Sequence, residues 1–495
     1  MYSITVLPQQ QNILAQPGEN LLQVLRRESL APDAPCGGDG RCGKCRVMVD
    51  GRWELACQIR VDRPLQITLP QIAPRQIMTE GVATAEVFAP LKSGYLLAFD
   101  IGTTTVAVYL LDKTDGHLLF CDSMPNPQGS FGADVVSRIR AALSGQMEQL
   151  TAQIRSCVES LTLSLCQKAG ISPKDVGVVS LVGNPAMQQL FLGICPENLV
   201  KIPFAPVLTR PETCPAAAYL PCCENALLLL VPDISGYVGA DTVACVLSTG
   251  MAEGEEVCLL VDIGTNGEMV LGNRNGMFAC STAAGPALEG ANIHFGMVAA
   301  QGAIDRVWVE NGKIGCHVIG AVEATGICGS GLVDAVAAGM ELGLINARGR
   351  VDTENHCLQL TRDIFLTQED IRQVQLAKGA IAAGIVLMTQ EMGISLQQIQ
   401  RVYLAGAFGA HLSPKSACAI GLLPKELEHK IIAVGNAAGS GAKQMARCGA
   451  DFLRTGAVLE GIKPLELAQR QQFAKVFAQQ MRLPPKEGSG SGTVD

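Results

Sequence analysis

The chain has 495 residues, 48% of them hydrophobic and only 4% aromatic, with 53 glycines and a formal net charge of −8. Its length is too great for one small module and favours three or four domain-sized units, and the glycine content fits a β-rich α/β protein with many tight turns. An acidic balance without a basic tract argues against nucleic acid as a partner. The N-terminus lacks a charged-then-apolar leader and no uninterrupted apolar run reaches membrane-spanning length, so the expectation is a cytoplasmic protein with no membrane partner.

Residues 2–6 (YSITV) and 12–16 (NILAQ) read as a short hairpin. Past Gly18, Asn20 with Gln23 three residues on forms an N-cap pair that opens the amphipathic run LLQVLRRESL. The next stretch, PCGGDGRCGKCRVMVDGRWELAC, holds Cys36, Cys42 and Cys45 in one glycine-rich loop and Cys57 beyond a short hairpin. Four thiolates so placed can aim at one point, and the glycines let backbone N–H groups turn toward cluster sulfurs. The gaps are five, two and eleven residues, against four and two in the first part of the plant-type 2Fe-2S pattern. Zinc is the alternative, since four cysteines also make a structural site. The unequal spacing, the CGG start and the flanking strands (RVMV at 46–49, LQITLP at 65–70) favour a 2Fe-2S cluster. Hairpin, helix, cluster loop and closing strands resemble the β-grasp ferredoxin fold, a module that moves one electron at a time. The other fifteen of 19 cysteines are scattered, with only Cys222 and Cys223 adjacent. They read as small buried hydrophobes in a reducing compartment, so a single iron–sulfur centre is expected.

A proline-containing linker over 71–93 separates this module (1–70) from a different texture. The segment YLLAFDIGTTTVAVYLLDKTDG (95–116) is an apolar strand ending in Asp100, a tight turn with Gly102, Thr103, Thr104 and Thr105, then a second strand. The device returns at VCLLVDIGTNGEMVLGNRNG (257–276), with Asp262, Gly264, Thr265, Asn266, Gly267 and Glu268. Two such hairpins about 160 residues apart are an internal duplication. Their chemistry is phosphate handling: glycine admits close backbone approach, N–H groups and threonine hydroxyls cradle phosphate oxygens, and a strand-end aspartate holds Mg²⁺ through its waters. A third element, RVYLAGAFGAHL (401–412), runs into Gly406, Ala407, Phe408 and Gly409, where small residues let a base and ribose lie against the backbone. The stretch IIAVGNAAGSGAKQMA (431–446) repeats strand, small-residue turn and helix.

Phosphate-1, phosphate-2 and adenosine motifs in this order resemble the acetate and sugar kinase, heat-shock ATPase and actin superfamily. That resemblance implies two ribonuclease-H-like α/β lobes closing on ATP in a cleft, here 94–250 and 251–480, with a flexible tail at 481–495. Fusion to an N-terminal 2Fe-2S module resembles the reductive activators of corrinoid proteins, including the activating enzymes of corrinoid-dependent O-demethylases and methyltransferase systems. The likeness extends to LVGNPAMQQLFLG (181–193), CSTAAGPALEGANI (280–293) and ATGICGSGLVDAVAAG (324–339). Larger members carry an additional middle domain, expected here to be absent or much reduced. A methylamine-pathway type carries C-terminal 4Fe-4S motifs, which this sequence lacks.

The resemblance implies an anaerobic, ATP-hydrolysing corrinoid-protein reductase. Its cluster, bound by the four cysteines, returns one electron to the Co(II) form of a partner, restoring methyl-accepting Co(I). Asp100 and Asp262 would hold Mg²⁺, Thr103, Thr104 and Thr265 the phosphates, and Gly406 to Gly409 the adenosine. Gly329, Ser330 and Gly331 open a helix whose N-terminus either offers N–H groups to an anion or uses its glycines for close packing. Glu268 and Glu289 either orient the attacking water or bind metal, or serve as salt-bridge or capping groups. Ser281 and Thr282 are candidates for facing the partner's cofactor; His294 and His411 lack metal-ligand spacing and read as structural. The electron donor is unspecified and a homodimer is left open. Two other readings share part of these features: a low-potential activator of a dehydratase-type enzyme, and a small-molecule kinase with a redox-sensing domain.

Overall fold

Alternation of apolar and polar residues builds the N-terminal sheet. In β1 (Tyr2–Leu7) Ile4 and Val6 are buried between more open neighbours, and in β2 (Gln11–Ala15) Ile13 and Ala15 do the same. Helix α1 (Leu21–Arg27) follows, with the Asn20 side chain accepting from the Gln23 N–H at 3.3 Å, so the N-cap falls where the sequence places it. Strands β3 (Arg46–Val49), β4 (Arg52–Leu55) and β5 (Leu65–Thr68) complete a five-stranded sheet of order β2-β1-β5-β3-β4, with β1 and β5 parallel. Leu21, Leu22, Val24 and Leu25 of α1 pack into its core with Val47, Val49 and Ile67. This is the β-grasp ferredoxin arrangement.

The computed structural model describes residues 1–70, 81–82, 87–409 and 411–485. Most of the expected linker, 71–80 and 83–86, lies outside the described residues, as do 486–495 of the expected tail. Two units are drawn from the chain. The first takes Met1–Ala73, Val87–Ala240 and Ala442–Phe452, and the second takes Pro74–Glu86, Asp241–Gly441 and Leu453–Asp495.

Beyond the ferredoxin module, the first unit is organised on a six-stranded sheet. Its strands are β6 (Tyr95–Ile101), β7 (Thr105–Leu111), β8 (Leu118–Pro125), β9 (Val176–Gly183), β10 (Glu212–Pro215) and β11 (Leu227–Leu230), in the order β10-β11-β9-β6-β7-β8. Strands β6, β7 and β8 form an antiparallel meander, while β9 and β11 run parallel to β6. All eight residues of β9 are buried, as a central parallel strand requires. Helices α2 (Val135–Ala141), α3 (Met147–Ala169) and α4 (Pro185–Leu192) add Val135, Ile139, Ile154, Leu161, Met187 and Leu190 to its core.

The second unit repeats this plan. After α5 (Ala240–Thr249) come β12 (Cys258–Ile263), β13 (Gly267–Asn273) and β14 (Gly276–Thr282), again an antiparallel meander. Two smaller sheets follow, β15 (Ala303–Glu310), β16 (Lys313–Val318) and β17 (Gly326–Ile327), then β18 (Cys357–Gln359) with β19 (Phe365–Thr367). Strands β20 (Arg401–Ala405) and β21 (Ile431–Gly435) then run parallel to β12 at the far side of the main sheet, and β22 (Ile462–Pro464) pairs with β14. The duplication read from two DIGT hairpins is therefore a duplication of topology: a three-strand meander whose first strand is joined by two parallel strands.

Helices α6 (Gly329–Glu341) and α7 (Gln368–Met392) cover this unit's core. Helix α7 alone among the described helices has the length and apolarity of a membrane span, yet 78% of that window is buried, against β13 and β14. The start of the expected tail is held against the same helix: Gln375 Nε2 donates to the Met481 carbonyl at 2.9 Å and Lys378 Nζ to that of Arg482 at 2.7 Å, with Leu483 buried. Burial pulls the Lys378 ammonium down to about 8.

Candidate functional site

Three constellations gather the residues the sequence singles out: a cysteine loop between α1 and β3, and two turns that each follow a strand. The first is the cysteine loop. Cys36 and Cys42 lie within hydrogen-bond reach of each other, as do Cys45 and Cys57, and Cys57 senses the charge of Cys36. The loop's backbone is turned inward: N–H groups of Gly38, Arg41 and Cys42 point at the Cys36 sulfur, that of Lys44 at Cys42 and that of Gly40 at Cys57. Gly38 and Gly40 have φ of +105° and +79°, values that L side chains rarely adopt. Burial opposes the Cys36 thiolate, but these donors overcome it and hold the thiol down at about 6. Burial and the neighbouring thiols push Cys57 up to about 11. Four converging sulfurs wrapped in backbone donors fit a 2Fe-2S cluster, whose sulfurs are ordinarily so hydrogen-bonded. Of the other fifteen cysteines nine are buried, as small hydrophobes should be.

The second constellation is the turn after β6. Gly102 N–H donates to the Thr105 carbonyl at 2.9 Å, closing it. A polar set holds its backbone from behind: Asn126 Nδ2 donates to the Gly102 carbonyl (2.8 Å), Arg138 Nη2 to that of Thr103 (2.5 Å) and the Asn126 N–H to that of Thr104 (2.9 Å). Asn184 Nδ2 donates to the Thr103 hydroxyl at 3.1 Å. Asp100 and Thr103 to Thr105 are half-buried.

The third is the turn after β12. Gly264 N–H donates to the Asn266 carbonyl at 3.0 Å, and the Thr265 hydroxyl donates to Glu289 Oε2 at 2.6 Å. Glu268 stands opposite Asp262 in the β12–β13 register and opposite Ser281 across β13–β14, and accepts from the Ser281 hydroxyl at 3.1 Å. Asp262 accepts from the Cys245 thiol at 3.7 Å. A Cβ on Gly406 would lie 2.6 Å from Asp262 Oδ1, and its φ is +89°, so only glycine fits where β20 turns toward this carboxylate. The structure thus brings Asp262, Gly264, Thr265, Glu268, Glu289 and Gly406 together.

Other expected residues have different surroundings. Gly267 lies against Ile381 and Thr282. At the start of α6, a Cβ on Gly329 would collide with the Leu288 carbonyl and the Phe408 ring, and one on Gly331 with the Ile304 carbonyl. The Ser330 hydroxyl is spent on the Asp305 carbonyl at 2.9 Å. Close packing, the second of the two readings, accounts for all three. Helix α8 (Gly406–Gly409) contains Ala407, Phe408 and Gly409, with Gly409 against Leu404. Thr282 is buried and donates to the Gly267 carbonyl at 3.3 Å, so it does not present itself to a partner; on a strand its face is opposite to that of Ser281. His294 packs on Phe295 and Phe365, a structural role. Sequence reading missed Asn126, Arg138, Asn184, Asp241 and Cys245. Only Asn126 and Asn184 carried a local signal, each being an N-cap before Pro at the first helical position.

Burial pushes the Glu268 carboxyl well above the usual carboxylate range, and the charges of Asp241 and Asp262 push it further, against the Ser281 bond. The folded chain therefore keeps a proton on Glu268 that the unfolded chain releases near pH ~4.3, and stability falls as pH rises through that window and stays lower above it. In nucleotide-free protein, Glu268→Gln should match wild type near pH 4.3 and be more heat-stable at pH 8, by on the order of 2–4 °C. Thermal unfolding at the two pH values checks this; equal midpoints at pH 8 would refute it.

With this geometry in hand, similar proteins are informative. A family model for the 2Fe-2S iron–sulfur cluster binding domain matches residues 4–62, one for the RACo middle region 95–254, and one for the C-terminal domain of RACo, the ASKHA domain, 256–493. The two RACo models together span most of the chain, which belongs to the RACo family. The RACo middle region coincides with the stretch read as the first ATPase lobe, so the expected loss of a middle domain does not hold. The chain is 38% identical over 386 residues to the corrinoid activation enzyme RamQ of Eubacterium limosum, an alignment spanning 71% of this chain and 64% of that one. It is 29% identical over 378 residues to a [Co(II) methylated amine-specific corrinoid protein] reductase of Methanosarcina barkeri, spanning 69% and 68%. The solved reductive activator for corrinoid, iron–sulfur protein superposes with a TM-score of 0.75 at 28% identity, covering 98% of this chain and 99% of that one.

Proposed function

We propose that this chain is an ATP-dependent reductive activator that passes one electron from its 2Fe-2S cluster to the Co(II) form of a corrinoid protein in a methyltransferase system, restoring Co(I). The observation that carries the reading is the presence, in one polypeptide of the RACo family, of a cysteine loop lined with N–H donors and two strand-end Asp-Ile-Gly-Thr turns. Cys36, Cys42, Cys45 and Cys57 hold the cluster. When bound, it supplies a single electron, taken from an external donor and given to the partner's cobalt. Asp100 and Asp262 would hold Mg²⁺, the two turns would take nucleotide phosphates, and Glu268 or Glu289 would hold the attacking water. The hydrogen bond from the Thr265 hydroxyl to Glu289 makes Glu289 the group best placed to sense what that turn binds.

ATP is used because returning an electron to Co(II) is uphill from ferredoxin-like donors. Moving a two-state equilibrium from 1:99 to 99:1 takes about 5.5 kcal/mol, or somewhat over ~0.2 V for one electron. The protein acts in the cytoplasm, under anaerobic conditions. The test is direct: reduced holoprotein, Mg-ATP and Co(II) corrinoid proteins are mixed anaerobically and the Co(I) absorption band is followed. The band should grow with ATP and not without it. ATP turnover with indifference to every corrinoid protein offered would overturn the proposal.

A further inference from the structure

Two buried arginines stand outside the mechanism above. Arg26, at the end of α1, is 5% exposed and Arg138, in α2, is 1% exposed. A buried guanidinium is retained only where its donors are satisfied, and both are bonded to backbone carbonyls. Arg26 Nε donates to the Ser130 carbonyl at 2.8 Å, and its Nη2 donates to the Gly37 carbonyl at 2.9 Å, next to cluster ligand Cys36. Its guanidinium lies 4.9 Å from the centre of the Phe131 ring. Arg138 Nε donates to the Gly132 carbonyl at 3.0 Å, and its Nη2 donates to that of Thr103 in the turn after β6.

Both arginines thus grip one short segment, the 3-10 turn Pro127–Phe131 with its flanks Asn126 and Gly132. Asn126 caps that turn, accepting from the Gln128 N–H at 3.0 Å, and with its Nδ2 also holds the Gly102 carbonyl. The iron–sulfur module meets the segment again through Ala34 N–H to the Gly129 carbonyl and Ala133 N–H to that of Pro35, and Gln153 Nε2 donates to the Arg26 carbonyl at 3.0 Å. From Thr103 to Gly37 the line is unbroken: phosphate turn, Arg138, the 126–132 segment, Arg26, cluster loop.

We propose that Arg26 and Arg138 are positioning residues that couple the phosphate turn at 102–105 to the cluster loop at 36–45 through the 126–132 segment, so that a nucleotide phosphate on the turn is felt at the cluster ligands. The inference rests on the reading of Gly102–Thr105 as a phosphate site. Coupling of this kind is reciprocal, so the state of the cluster loop also alters the grip on nucleotide.

The experiment is amide hydrogen exchange on full-length holoprotein, with and without a non-hydrolysable Mg-ATP analogue. In wild type the analogue should slow exchange at 102–105 and change it at 36–45 by about 5-fold or more. In Arg26→Lys, which keeps the charge but loses the two-carbonyl fork, the response at 102–105 should persist and that at 36–45 should vanish. Arg138→Lys, remote from the cluster, serves if Arg26→Lys loses iron, and should likewise abolish the response at 36–45. A merely structural role would change exchange at 36–45 equally with and without the analogue, and that result overturns the coupling. So does a wild-type response at 102–105 with none at 36–45. No wild-type response at 102–105 removes the phosphate reading, and the inference with it.

Discussion

Asp262→Ala is expected to lower ATP turnover by ~10²–10³-fold, the usual cost of removing one preorganised electrostatic group from a reacting centre. The carboxylate ends β12 and is flanked by the Cys245 thiol, by Glu268 directly across the sheet and by a glycine that leaves it room. Alanine removes the group proposed to hold Mg²⁺, and with it the neutralisation of charge on the transferred phosphoryl. The same substitution removes one of the charges that raise Glu268, so the residual activity should have a pH profile displaced downward. Hydrolysis rates across pH and the affinity for Mg-nucleotide measure this, while the visible spectrum of the cluster should be unaltered. Turnover at the wild-type rate would exclude Asp262 from the reaction.

Cys42→Ser is expected to abolish the cluster and, with it, all ATP-dependent formation of Co(I). Serine keeps the shape of the loop but replaces the soft thiolate that iron–sulfur ligation uses. Cys42, proposed as a ligand, is in contact with Cys36 and receives the Lys44 N–H, so its loss leaves donors with no sulfur to meet. Iron and sulfide content, the visible spectrum and the EPR signal of the reduced protein report the loss. ATP hydrolysis should survive, since the turns proposed to take the phosphates follow other strands, β6 and β12. A serine variant that retains a stoichiometric 2Fe-2S cluster would show that the four cysteines are not the ligand set. Zinc in place of iron in the wild-type protein would show that the other reading of the four thiols is right.

These expectations depend on features read with unequal ease. The cluster loop was legible because its chemistry is local: Cys36, Cys42 and Cys45 are bound by spacing and by glycines that bring N–H groups onto sulfur. The two DIGT hairpins were legible because a strand ending in aspartate before a glycine turn is a pattern of a few residues, and repeating it makes chance a poor explanation. The pairing of Thr265 with Glu289 was not, because the partners are 24 positions apart and meet only when the turn at Pro286–Glu289 folds back. Ser281 and Thr282 read alike as candidates for facing a partner's cofactor, but they lie on opposite faces of β14, and which face is buried is a matter of what packs on that strand. The glycines that open helix α6 read equally as an anion site or as close packing, and the backbone carbonyls they lie against are announced by no local pattern.

By itself the sequence determined the kinds of chemistry proposed for this protein: four cysteines spaced for a cluster, two glycine–threonine turns and the strand-end aspartates, each encoded within a short stretch by residue type and spacing. Only the tertiary structure decided which groups act together. Arg26 and Ser130 are 104 positions apart, and Arg138 reaches back 35 to Thr103. Such contacts follow from how sheets and helices pack, because a buried guanidinium takes whatever carbonyls the packing leaves within reach.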